Sequence, residues 1–198
     1  MSKTIIKKLS KGKVLTYLSS KVKISKIPKT LLFMVDDWKK NQSKILDKIE
    51  IYFKQIKFLA IRSSAFNEDT SKYSEAGKYY SELFVKLKNR KEIIKAIKKV
   101  INSYDKKYLN KNEFIVQEMI ANTDISGVVF TKDPNNNAPY YVINYDDFSG
   151  LTDSVTSGKY EFSNKALNIY RSKISRLKSP RFKKLILSIK ELENLFLN

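Results

Sequence analysis

A short apolar run, Phe58 to Ile61, stops abruptly on Arg62-Ser63-Ser64-Ala65. Four apolar residues bounded by polar ones read as a buried strand. A turn-rich acidic stretch, Phe66-Asn67-Glu68-Asp69, follows, and then Ser74-Glu75-Ala76-Gly77. A cation and hydroxyls at a strand end, facing a glycine-containing loop, can hold a polyphosphate. Arginine supplies fixed donors, and glycine lets backbone N–H groups approach an anion closely. Taken alone, the same segment also fits an ordinary loop in which Arg62 pairs with Glu68 or Asp69.

Later segments add to this one. Phe114-Ile115-Val116-Gln117-Glu118-Met119-Ile120 is strand-like and leads into Ile125-Ser126-Gly127-Val128-Val129-Phe130-Thr131-Lys132-Asp133-Pro134. Ile143-Asn144 and Gly150-Leu151-Thr152-Asp153-Ser154-Val155-Thr156-Ser157-Gly158 come after. In order and spacing these blocks resemble the ATP-binding domain of the phosphoenolpyruvate synthase and pyruvate phosphate dikinase family. The N-terminus extends the resemblance. Leu9-Ser10-Lys11-Gly12-Lys13-Val14-Leu15 keeps the lysine, the following glycine and the leucine of the family's opening segment, without its paired glycines. Ile24 to Phe33, with Pro28, fits the turn and strand that follow.

The resemblance implies an α+β, two-lobed nucleotide-binding domain of the ATP-grasp kind. A mixed helix–strand lobe would span 1–113, and a strand-rich lobe with a C-terminal helix 114–198. It implies that Arg62 is the catalytic cation on the nucleotide phosphates. Ser63 stands beside it, and Lys11 is the phosphate-contacting lysine, with Lys13 as the alternative. Ser74 and Gly77 resemble the small loop that closes over the phosphates, with Glu75 in place of an apolar residue. Gln117, Glu118 and Met119 resemble the strand between the lobes that reads adenine and ribose; a plain edge strand is the alternative. Asn144 stands at a phosphate-facing position. Asp153 replaces the family's glutamate, and neither it nor Asp133 is assigned to a metal.

The expected ligand is ATP with Mg²⁺. The family's magnesium carboxylates are not found here and are expected beyond this chain, so the domain is expected to be incomplete at its C-terminal end. Family members pass phosphate through a histidine on a mobile domain to an acceptor, so phosphohistidine and acceptor domains of a larger polypeptide are the implied partners. Some relatives phosphorylate small metabolites of surface-polysaccharide pathways, a glutamine kinase among them. The chain by itself is expected to be inactive.

Composition sets limits of its own. A chain of 198 residues with 42% hydrophobic residues can bury a core. Cysteine and histidine are both absent. That removes disulfides, thiol nucleophiles, the usual near-neutral base and a zinc site, and it suits a reducing cytoplasm. No apolar run approaches the ~20 residues of a membrane span. The net charge of +19 could signal nucleic acid. However, of 39 basic residues, arginine stands only at Arg62, Arg90, Arg171, Arg176 and Arg181. Lysine scattered along a whole chain is a compositional bias rather than a readout surface. A nucleic-acid module is therefore the second reading and a non-catalytic nucleotide-binding domain the third.

Periodicity predicts helices over 11–22, 38–53, 90–109 and from Pro180 onward. Strands are predicted over 31–35, 58–62, 81–87, 114–119, 126–131, 140–145, 159–163 and 167–173.

Overall fold

The computed structural model describes residues 9–65, 79–152, 154–157 and 164–197. The chain divides into two compact units, the first ending at Met119 and the second running from Ile120 to Leu197. Each is α+β and built on an antiparallel sheet.

The first unit opens with α1 (Lys11–Ser19), capped by Ser10, whose hydroxyl accepts from the Lys13 N–H. β1 (Thr30–Met34) follows, then α2 (Val35–Lys40) and α3 (Gln42–Tyr52). The single helix expected over 38–53 is thus two. Asn41, at φ −136° and ψ 40°, leaves the helical region between them. Asparagine gives the backbone local alternatives to a continuous helix. The strand also stops one residue early, because Val35 already begins the next helix; its N–H still reaches the Asn112 carbonyl at 3.0 Å.

β2 (Phe58–Ser64), β3 (Ser81–Lys86), α4 (Arg90–Asn102), a 3-10 turn (Lys106–Lys111) and β4 (Glu113–Glu118) complete the unit. Asn89 caps α4 through the Glu92 N–H at 3.1 Å, as its sequence suggests. The helix ends at Asn102 rather than 109. There the Ser103 hydroxyl bonds the Val100 carbonyl, and Asp105 accepts from the Lys107 N–H. Such short polar side chains compete with helical bonds.

The sheet order is β1-β4-β2-β3. β4, expected to open the second lobe, therefore lies inside the first sheet, antiparallel to both β1 and β2. One face of this sheet carries the core: Leu59, Ile61, Val85, Phe114 and Val116 pack with Trp38, Ile49, Ile93 and Ile97. Fully burying aliphatic side chains of this size contributes roughly 1.5–3 kcal/mol each.

The second unit holds β5 (Ser126–Phe130), β6 (Tyr140–Asp146), a single helical turn α5 (Ser154–Ser157) and β7 (Asn164–Tyr170), with α6 (Pro180–Leu197) last. Its sheet is β5-β6-β7. Ile186 of α6 packs on Tyr141, Ile143 and Ile169. β7 lies earlier than the expected 167–173. The Arg171 N–H bonds the Pro139 carbonyl at 2.9 Å, and a 3-10 turn, Arg171–Arg176, begins there. The strand expected over 159–163 lies outside the described residues.

Candidate functional site

Side chains alternate along a strand, so Leu59 and Ile61 on the core face send Ala60, Arg62 and Ser64 to the other. Pairing puts Arg62 beside Ile115 of β4 and Ser81 of β3, and Ser64 beside Glu113. Ser63, expected to act with Arg62, pairs with Phe114 and turns to the helix-packed side. The hydroxyl on the Arg62 face is that of Ser64.

Arg62 is exposed, and among the described residues its side chain has no hydrogen-bond or ion-pair partner. Glu68 and Asp69, the ion-pair alternatives, lie outside the described residues. Ser74, Gly77 and Asp153 do so too.

α1 docks on the same face as Arg62. The Gly12 N–H donates to Ser64 Oγ at 3.0 Å. A Cβ at position 12 would stand 2.2 Å from Leu32 Cδ1 of β1, so glycine is what lets the helix settle this close. Lys11, with the first helical position, is partly buried there.

Below the helix start lies Glu113, only 4% exposed. Its carboxylate accepts from the Ser10 hydroxyl and, at 3.5 Å, from the Ser64 hydroxyl. The Lys13 ammonium stands 3.1 Å from its other oxygen. The Tyr104 hydroxyl accepts from the Ser64 N–H at 2.9 Å and donates to the Glu113 carbonyl. A charge buried this deeply has to be paired and hydrogen-bonded, and here it is. Glu113 and the Tyr104 hydroxyl were not legible as site residues. The signal available was one carboxylate opening an otherwise apolar strand.

Beside α1 a cleft of about 520 Å³ opens between Lys13, Thr16 and Tyr17 on one side and Thr30 and Leu32 of β1 on the other. Gln117, buried, donates from Nε2 to Thr30 Oγ1 at 2.9 Å and so fixes that wall. Glu118 is half-buried, bonded through its N–H to the Lys29 carbonyl at 2.9 Å. Its carboxylate accepts from the Lys29 N–H at 3.4 Å. The Met119 N–H bonds the Phe58 carbonyl at 3.0 Å. These two residues close the first unit as ordinary members of its sheet.

In the second unit Asn144 pairs with Val128 of β5. Its neighbour Asp146 is 2% exposed and organises the loop that follows. One carboxylate oxygen accepts from the Phe148 N–H at 2.8 Å and the Ser149 N–H at 3.0 Å; the other accepts from the Ser149 hydroxyl. The bonds from the Ser149 and Ser154 hydroxyls hold the Asp146 carboxyl well below the usual carboxylate range. The same loop is tied back where the Thr123 hydroxyl donates to the Gly150 carbonyl at 3.1 Å.

A family model described as the pyruvate phosphate dikinase AMP/ATP-binding domain matches residues 4–184. The chain belongs to this family. No individual curated protein matches alongside it. As a pyruvate phosphate dikinase nucleotide-binding domain, the chain is an ATP/AMP-binding portion of a kinase and phosphotransferase family. Among the described residues no group of three or more histidine, cysteine, aspartate or glutamate side chains comes together to hold a metal ion. Among them, too, no helix is long and apolar enough to cross a membrane.

Proposed function

We propose that this pyruvate phosphate dikinase-type domain binds ATP for a phosphotransferase that passes phosphate through a histidine to a small-molecule acceptor. The chain contains no histidine, so the phosphate-carrying residue belongs to another domain of a larger polypeptide. The observation that carries the reading is Arg62. It is an exposed cation with no partner among the described residues, on the sheet face where α1 and its lysines dock. A guanidinium spares its donors for a phosphate when no protein carboxylate takes them.

In this reading the domain is of the ATP-grasp kind and the sheet face of the first unit takes the polyphosphate. Arg62 neutralises charge on the phosphate that is transferred, and α1 brings Lys11 and Lys13 to the same face. Ser74 and Gly77 are counted among the phosphate-binding residues, and Glu118 with Met119 receives ribose and adenine. Asn144 is a further candidate for a phosphate contact. The chemistry asks the protein for positioning and charge stabilisation rather than covalent catalysis.

The test is a nitrogen-15 NMR titration with ATP, which registers weak binding. Shifts should cluster at the end of β2 and the start of α1, and Arg62→Ala should weaken them about tenfold or more, as expected for a lost charged hydrogen bond. Equal affinity in the alanine variant overturns the reading. Binding that falls steeply with salt and is matched by any DNA or RNA points to the lysine charge instead.

A further inference from the structure

We infer that Glu113 is a resident counter-anion that holds Lys13 away from an incoming phosphate, so that it sets how strongly the first unit responds to phosphate charge. The inference rests on the nucleotide reading above.

Three observations lead to it. The carboxylate is 4% exposed, so it cannot turn out into solvent. The ammonium that it pairs with, at 3.1 Å, belongs to a side chain that is 54% exposed and stands at the rim of the cleft beside α1. The remaining groups on the carboxylate, the Ser10 and Ser64 hydroxyls, sit where the Gly12 N–H is also committed to Ser64. Every polar group at this corner is thus arranged around an internal anion. Of the described side chains shown on the carboxylate, the exposed one at the rim of the cleft is Lys13.

Two effects oppose each other. Glu113 holds a long flexible side chain in place, which spares the ligand the cost of ordering it. It also cancels the charge that attracts the ligand, and from its buried, poorly screened place it repels the phosphate. Lysine is a point charge with rotatable donors, and it gains little from being aimed. Near a protein surface a full charge a few ångströms away is a larger effect than one ordered side chain. The cancelling effect therefore wins, and removing the charge tightens polyphosphate binding. A ligand without phosphate feels neither effect.

The experiment titrates the chain with ATP and separately with adenosine. It compares wild type, Glu113→Gln, Lys13→Met and the double variant by NMR, with thermal melts of each. Glu113→Gln should bind ATP about tenfold tighter, the order of one charge contact near a surface, and adenosine unchanged. Lys13→Met should bind ATP more weakly, and in its background Glu113→Gln should gain far less. Lys13→Met takes the ion pair from the buried Glu113 carboxylate, but the Ser10 and Ser64 hydroxyls still bond it and the melts check that the variant stays folded, so it reports even if Glu113→Gln fails to fold. An unaltered ATP affinity in Lys13→Met then overturns the inference. So does a Glu113→Gln gain that is absent, shared by adenosine or undiminished without Lys13. If Arg62→Ala still weakens ATP binding in those cases, the nucleotide reading stands and only the role of Glu113 falls. If neither wild type nor Glu113→Gln binds ATP, both fall.

Discussion

Gly127 faces Tyr145 across β5 and β6 so closely that a Cβ at Gly127 would stand 2.3 Å from the Asn144 carbonyl oxygen. The next nearest atom is the Tyr145 Cα, at 2.9 Å. Both are backbone, so neither can swing aside. Gly127→Ala has to push β5 off β6, at a cost on the order of the 1–3 kcal/mol seen when a packed site is overfilled. Thermal melting checks this, and an unchanged midpoint would mean that the sheet yields at no cost.

Tyr104, two residues beyond the end of α4, bridges β2 and β4 through its hydroxyl. Tyr104→Phe keeps the ring in the core but leaves the buried Ser64 N–H without its acceptor. A stranded buried donor costs roughly 1–3 kcal/mol. Urea unfolding of the variant should show the loss with an unchanged slope.

Arg62→Lys separates charge from geometry. Lysine keeps the cation and loses the fork, so it should restore only part of the ATP affinity that Arg62→Ala removes. Stability should hardly differ among the three, because Arg62 is exposed and contacts no described partner. Parallel melts and titrations test both halves of the statement.

The second unit should fail at both ends of the pH range. Burial pushes the Tyr141 hydroxyl up to about 12, helped by its bond to Glu193 at 2.7 Å. A raised folded pKa means stability that is present below the ordinary tyrosine value of ~10 and lost as pH rises toward the folded one. Glu193 runs the other way. Burial alone would raise it, but bonds from Arg171 and Tyr141 together hold it below the ordinary range. Asp146 is lowered as well, chiefly by the Ser149 and Ser154 hydroxyls. Their contribution is present above the ordinary carboxylate values near ~4 and lost as pH falls through the folded ones. Circular dichroism from pH 2 to 12 should show both losses, and Glu193→Gln should flatten the acid limb.

The sequence made the start of β2 visible because an apolar run begins there at Phe58, but the strand runs on to Ser64, two residues past the expected end. The sequence did not reveal which serine joins Arg62. Phe58 to Ile61 is apolar at every position, so the run carries no alternation from which to read the faces, and Ser63 and Ser64 could not be told apart. Glu113 was hidden for a related reason. A lone carboxylate at a strand start has the look of a surface charge until Ser10 and Lys13, a hundred residues earlier, are folded onto it. The break at Asn41 is a change of backbone angles at one residue, and β7 gives way to a 3-10 turn at Arg171; periodicity registers neither.

The strand order of the first sheet also governs when this domain can exist. β2 and β3 are close in sequence and α4 follows at once, so that corner can form from local contacts. β1 is synthesised first, yet its partner is β4: Gln117 and Thr30, joined across them, are 87 residues apart. Until Glu118 has left the ribosome, an apolar strand on each side of the gap keeps an open edge. Closing that span sets a slow, late step. A nascent chain cut before Glu113 is left with the β2–β3 pair, the helices α1 to α4 and unpaired edges on β1 and β2, and it is there that a chaperone would find it.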